Sequence, residues 1–236
     1  KIVKYNSKNG YAYSLDDPST YKVTAYSFKN GTHVMFSHFG TMHSFSSNMM
    51  GIFNVYNLMA AVAAVHITTN KPLDEICEAL EGFAGVSGRM ETISSNPLII
   101  VDFAHTPDGM KEVLQSFNEK DIICVFGAGG DRDKAKRPLM GSVAASYSKH
   151  IIVTSDNPRF EDPDMIIEDI LKGIKSHKSV EVEINRKEAI KKAIAMADEN
   201  SVVLILGKGD ESTQTIYDKK FPFSDKEEVL KVLNKE

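Results

Sequence analysis

Past residue 89, short apolar or β-branched runs alternate with helical stretches, and no other feature restricts the fold as much. The runs fall at 97–103, 121–126, 150–154, 180–184 and 201–206; the helical stretches between them fall at 108–117, 138–146, 164–174 and 187–197. An antiparallel neighbour needs only a tight turn, whereas a parallel neighbour needs a crossover of roughly a dozen residues or more. Strands separated by helices therefore predict a parallel sheet covered on both faces, an α/β doubly wound, Rossmann-like domain. A last helix at 224–233 closes the chain, with Ser224 and Glu227 spaced as a capping box.

The first part differs. Asn9-Gly10 separates the runs 2–5 and 11–15, and Asn30-Gly31 separates 21–28 from 32–36. Asn-Gly between β-branched or aromatic runs is a hairpin signal. A further strand is expected at 41–45, then helices at 54–68 and 73–83, the second just after Pro72. The division expected is residues 1–85 and 86–236. The chain opens on Lys1, and Ile2-Val3-Lys4-Tyr5 already reads as a strand, which points to a piece of a longer protein.

Composition narrows the function classes. Net charge is −4 over 236 residues with no basic block, which argues against nucleic acid as a partner. No apolar run is expected to span a membrane, and no signal peptide opens the sequence. Cys77 sits in a helical pattern and Cys124 in an apolar strand, as buried thiols in a reducing compartment would. The expectation is a cytoplasmic monomer.

Chemistry gathers at the strand ends. In an open parallel sheet ligands bind outside the carboxyl ends of the strands. The run at 150–154 breaks into Ser155-Asp156-Asn157-Pro158-Arg159, where Pro158 fixes φ and biases Asn157 away from helix. Turn capping by Asp and Asn would explain this loop taken alone. Asp102 and His105 precede Thr106-Pro107, a cap and first helical position, so turn chemistry is open there too. The run at 121–126 ends in Gly127-Ala128-Gly129-Gly130-Asp131-Arg132, glycines that let backbone amides approach an anion. It is neither a P-loop nor a dinucleotide fingerprint. The last run ends in Gly207-Lys208-Gly209-Asp210-Glu211, where Lys208 and Glu211 supply both charges. Asn185 most simply caps the next helix. Arg132 and Arg159 against Glu211 suit a zwitterionic amino acid with an extra carboxylate.

Six stretches in order, 51–57, 88–91, 102–108, 129–140, 156–159 and 207–211, resemble the Mur ligases of bacterial cell-wall synthesis. The resemblance covers the whole chain but only the C-terminal part of a family member. Residues 1–85 look like the end of the family's central ATP-binding domain, and 86–236 like its C-terminal domain, which binds the incoming amino acid. The resemblance implies ATP-dependent amide ligation with Mg2+. The carboxyl group of a UDP-N-acetylmuramoyl-dipeptide is phosphorylated, and the amine of the incoming amino acid attacks the acyl phosphate. It places Asn54, Asn57, Arg89, Asp102 and His105 around the nucleotide, and Arg132, Asp156, Asn157, Arg159, Gly207 and Glu211 around the amino acid. The Asp-Asn-Pro-Arg form is the one associated with meso-diaminopimelate, whose second carboxylate and ammonium suit Arg159 and Glu211.

Two departures stand out. Asp210 replaces a usual His, and the family's phosphate loop, carbamylated lysine and UDP-sugar domain are not in this sequence, so the chain alone is expected to be inactive. A lysine-adding or cyanophycin-synthetase-like ligase, or a non-catalytic amino-acid-binding module, are the alternatives.

Overall fold

The computed structural model describes residues 10–28, 31–175 and 179–234. The chain divides into two compact units, 1–85 and 86–236. Unit 1 holds β1 (Tyr13–Ser14), β2 (Tyr21–Ser27), β3 (Thr32–His38), β4 (Thr41–Ser47), α1 (Ile52–Thr69) and α2 (Leu73–Glu81). Its sheet order is β1-β2-β3-β4, a β2-β3-β4 antiparallel meander with β1 added in parallel to β2. Alternate residues Val34 and Phe36 on β3, with Tyr21 and Val23 on β2, face a core completed by Val55, Leu58, Met59 and Val62 of α1 and Leu73 and Ile76 of α2. The expected 2–5 strand and Asn9 lie outside the described residues, as does Asn30 of the second Asn-Gly pair. One expectation is corrected: α1 is, by length and composition, long and apolar enough to cross a membrane. Its alanines and β-branched residues raise its hydropathy, while its inward face packs in this core.

Unit 2 holds β5 (Glu91–Ser95), β6 (Leu98–Asp102), α3 (Pro107–Gln115), β7 (Asp121–Phe126), α4 (Lys136–Tyr147), β8 (His150–Val153), α5 (Pro163–Leu171) and β9 (Val180–Val182). It continues through α6 (Arg186–Met196), β10 (Ser201–Leu206), β11 (Thr213–Ile216), β12 (Lys219–Pro222) and α7 (Asp225–Asn234). The main sheet runs β5-β6-β10-β7-β8-β9, parallel throughout except for β5. The chain steps from β6 outward to β9, then α6 returns it to β10, between β6 and β7. Because crossovers are right-handed, this reversal puts α6 on the face opposite α3, α4 and α5. Ile99, Val101, Ile123, Val125, Val203 and Ile205 pack on Ala189, Ile190 and Ala193 of α6 and Val229 of α7. The intervening Ile100, Ile122, Cys124 and Leu204 are equally buried and, by the pleat, face the other layer. This is the expected α/β doubly wound arrangement, with an antiparallel edge strand and a small β11–β12 hairpin that the pattern did not foretell.

Helix starts follow local chemistry. Thr106 accepts from the Gly109 amide and Pro107 begins α3. Asn185 caps α6 through Lys187 and Glu188. The Glu227 amide donates to Ser224 Oγ at 3.4 Å at the start of α7. Both cysteines are free and buried, and burial pushes the Cys124 thiol up to about 12.

Candidate functional site

The carboxyl ends of β6, β7, β8 and β10 carry the chemistry. After β8, Asp156 and Asn157 are 7% and 6% exposed, so side chains placed on a loop are held almost as tightly as core. Gly130, on the loop after β7, donates its amide to the Asn157 carbonyl at 2.9 Å. A Cβ at Gly130 would lie 1.9 Å from the Pro158 carbonyl oxygen, so these two loops touch only because one presents bare backbone. Arg159 has φ 51, in the left-handed region. That conformation is held from both sides: the Arg159 amide donates to the Thr215 carbonyl at 3.1 Å, and the Tyr217 amide donates to the Arg159 carbonyl at 2.7 Å. The guanidinium turns to the glycine loop, where Nη1 donates to the carbonyls of Gly130 (2.7 Å) and Asn157 (3.4 Å).

Asn157 links this loop to the end of β10. Its Nδ2 donates to Glu211 Oε2 at 2.8 Å, and its Oδ1 accepts from the Thr215 amide at 2.8 Å and from Lys208 Nζ at 3.3 Å. Lys208 Nζ also reaches Glu211 Oε2 at 2.8 Å. Burial alone would raise the Glu211 carboxyl, but hydrogen bonds from Lys208 and Asn157 outweigh it and hold the group below its ordinary value. Gly207 has φ 117, and a Cβ there would sit 2.8 Å from Asp156 Oδ2. Asp156, Asn157, Arg159, Gly207 and Glu211 are thus brought together. Arg132 is exposed, with Nη1 3.4 Å from its neighbour's carbonyl. It joins them through Gly129, whose Cβ position is 3.7 Å from Arg132 Cγ and 2.9 Å from Arg159 Nη1.

Two buried arginines, which the sequence pattern did not single out, brace these loops. Arg137 of α4 pairs with Glu161 (2.8 Å) and Asp169 (3.0 Å). Glu161 in turn accepts from the Asp131 amide at 2.6 Å. The Arg137 hydrogen bond is the main cause holding the Glu161 carboxyl down at about 2. Arg186 makes a two-pronged pair with Asp225 at 2.7 and 2.8 Å, donates to the Leu206 carbonyl at 3.0 Å and lies 4.0 Å from Asp156. A cleft of about 980 Å3 also borders the loop, lined by residues 158–163 and 183–187 and by the hairpin; Arg132, Asn157, Gly207 and Glu211 do not line it.

The other group surrounds the end of β6. Asp102 accepts from the Met90 and Ala104 amides, each at 2.7 Å. Burial raises its pKa against those bonds. The Arg89 guanidinium lies 4.4 Å over the Phe103 ring, and Phe103 meets the His105 ring edge-on at 4.7 Å. Together these make a small aromatic and cationic cluster at the end of β6. In unit 1, Asn54 and Asn57 lie one turn apart on α1, the Asn57 amide donating to Asn54 Oδ1 at 3.1 Å. Among the described residues no group of three or more His, Cys, Asp or Glu is placed to hold a metal ion.

Residues 88–209 match the family model described as Mur ligase, glutamate ligase domain. A protein of Wolinella succinogenes named UDP-N-acetylmuramoyl-L-alanyl-D-glutamate–2,6-diaminopimelate ligase is 48% identical over 98% of this chain and 53% of its own length. One of Helicobacter hepaticus with the same name is 46% identical over 94% of this chain and 49% of its own. The chain therefore spans about half the length of these curated relatives. A solved structure of a ligase so named superposes with a TM-score of 0.70 at 33% identity, covering 95% of this chain and 47% of that one. A Mycobacterium tuberculosis folylpolyglutamate synthase shares the fold, with a TM-score of 0.65 at 20% identity.

Proposed function

The chain belongs to the Mur ligase family, and from that premise we propose that it carries the amino-acid site of an ATP-dependent ligase joining meso-diaminopimelate to UDP-N-acetylmuramoyl-L-alanyl-D-glutamate. Residues 86–236 are the domain that receives the incoming amino acid, and 1–85 the end of the central nucleotide-binding domain. ATP supplies the phosphoryl group that turns the substrate carboxylate into an acyl phosphate. The amine of the amino acid then adds to that carbonyl carbon, phosphate leaves, and an amide remains.

The observation that carries this reading is the pairing of unlike charges across one small site. Arg159 Nη1 is occupied by two carbonyls. Nε and Nη2 keep the planar donor edge that matches a carboxylate. Glu211 Oε2 is bound by Lys208 and Asn157, which leaves Oε1 to accept from an ammonium. A carboxylate and an ammonium on one carbon is an amino-acid head. meso-Diaminopimelate presents a second such head to this site while its first reacts; lysine presents an ammonium without the carboxylate. The relatives' names agree with that choice. Arg89, Phe103, His105 and Asp102 serve the adenine and ribose, with Asn54 and Asn57 contributed by unit 1.

Calorimetric titration of the chain with meso-diaminopimelate and, separately, L-lysine tests this. The expected result is measurable binding of the first and at least a hundredfold weaker binding of the second, since a site built for a polar group rejects analogues lacking it by about that factor or more. Equal affinities would overturn the substrate assignment in favour of a lysine-adding ligase. Binding of diaminopimelate with no ligation by the full-length gene product would favour a non-catalytic module.

A further inference from the structure

Lys208 follows a strand and precedes a glycine, a position where a lysine normally reaches into solvent. Here its side chain is 0% exposed and turns inward. Its ammonium touches the two side chains that most define the amino-acid site: Glu211 Oε2 at 2.8 Å and Asn157 Oδ1 at 3.3 Å. The consequence for Asn157 is chemical. The two ends of a side-chain amide have nearly the same shape but opposite hydrogen-bonding character. Two donors, Lys208 Nζ and the Thr215 amide, converge on one end, so that end must be the oxygen. The NH2 is thereby forced toward Glu211, and one of its two hydrogens is left for a ligand carboxylate. The consequence for Glu211 is electrostatic. A fully buried ammonium needs a carboxylate partner, and Glu211 is three residues away on the same turn.

We propose that Lys208 is the positioning residue of the amino-acid site: without touching the ligand, its buried ammonium fixes the orientation of the Asn157 amide and aims the Glu211 carboxylate. The inference rests on reading this site as the one for the incoming amino acid. It differs from the sequence expectation that Lys208 is itself a charge offered to the ligand.

The test uses the full-length gene product, with Lys208→Met, Lys208→Gln and Glu211→Gln compared in steady-state ligation. Lys208→Met is expected to raise KM for meso-diaminopimelate roughly 10- to 100-fold, the range for loss of hydrogen bonds to a charged group. KM for ATP stays within about twofold, which confines the effect to the amino-acid site, whereas loss of folded enzyme would lower the apparent kcat and leave both KM values unchanged. Lys208→Gln keeps a neutral donor on a side chain one bond shorter, and recovers part of that loss. In the Glu211→Gln background, Lys208→Met raises KM by a smaller factor than in the wild type, because one of the two contacts it supports is already gone. Should Lys208→Met fail to fold, Lys208→Gln alone and in the Glu211→Gln background gives the same comparison. An unchanged KM for diaminopimelate, a parallel rise in KM for ATP, or full additivity with Glu211→Gln overturns the role of Lys208. A wild-type protein that does not use diaminopimelate overturns the functional reading instead.

Discussion

Arg159 Nη1 ties its loop to Gly130, and in the proposed function the rest of the guanidinium is the part offered to a ligand carboxylate. Arg159→Ala is therefore expected to weaken meso-diaminopimelate roughly 10- to 100-fold while moving L-lysine affinity less than about threefold, because lysine has no second carboxylate to lose. Calorimetry of the variant with both ligands decides it; equal losses for both would mean that Arg159 supports the loop and does not select. Arg137 has the opposite balance. Its side chain is wholly buried and, among the described residues, bonds to Glu161, Asp169 and the Gly129 carbonyl. Glu161 is held at about 2 against an ordinary 4.5, chiefly by Arg137. A depressed carboxyl contributes stability that is fully present above its unfolded value and is lost as pH falls through the folded one. Urea midpoints are thus expected to fall between pH 4.5 and 2, and this slope should flatten in Arg137→Met. At pH 7 that variant is expected to lose about 3 kcal/mol, since it leaves two carboxylates without their buried partner. A variant as stable as wild type at pH 7 would refute the bracing role. In the sequence, Arg132, Arg159 and Glu211 stand out because they follow strand ends. Arg137 and Arg186 do not, because their roles depend on turning inward toward partners distant in the chain; Lys208 is legible as a charge at a strand end, but its inward turn onto Asn157, 51 residues away, is not.

The elements divide the same way. β10 is buried at every position, so its run of Val, Leu and Ile could hardly be read as anything else. The parallel core strands and the helices between them were legible for that reason, and the caps at Thr106 and Asn185 because capping is local. β5, β11 and β12 carry polar residues and bury none, so hydrophobic periodicity has nothing to show there. The β11–β12 hairpin exists by pairing, and what it pairs with is the loop at 155–159. It brackets the Arg159 backbone, donates the Thr215 amide to Asn157, and anchors the Asp156 carbonyl through Gln214 Nε2 at 2.6 Å. Half of the candidate site was therefore readable from strand ends, and the half that holds it in shape was not. Replacing residues 213–222 with a short Gly-Ser link is expected to cost about 10-fold or more in diaminopimelate affinity, by loss of these bonds. The thermal midpoint should shift by no more than about 4 °C, because an exposed hairpin contributes little core. Affinity within twofold of the unaltered chain would show that the loop holds its shape unaided.

At the scale of the whole chain, the two candidate groups of residues are distributed unequally between the units. Arg132, Asp156, Asn157, Arg159, Gly207 and Glu211 all belong to residues 86–236. The residues assigned to the nucleotide are divided, with Asn54 and Asn57 in the first unit and Arg89, Asp102 and His105 in the second. Unit 2 has a sheet covered on both faces and a core of its own, and its size is that of an ordinary autonomous domain. Among the described residues, the hydrogen bonds that shape the proposed amino-acid site, including those from the hairpin and Lys208, are internal to it. Residues 86–236 produced alone are therefore expected to bind meso-diaminopimelate within about threefold of the longer chain and to keep the discrimination against L-lysine, because no contact in that site is removed. Nucleotide affinity should fall roughly 10-fold or more, since truncation takes away two polar residues assigned to that ligand. Parallel titrations of both chains with diaminopimelate and with ADP measure the two effects separately. Loss of diaminopimelate binding in a folded 86–236 protein would mean that unit 1 contributes to the amino-acid site. Unchanged ADP affinity would remove Asn54 and Asn57 from the nucleotide site.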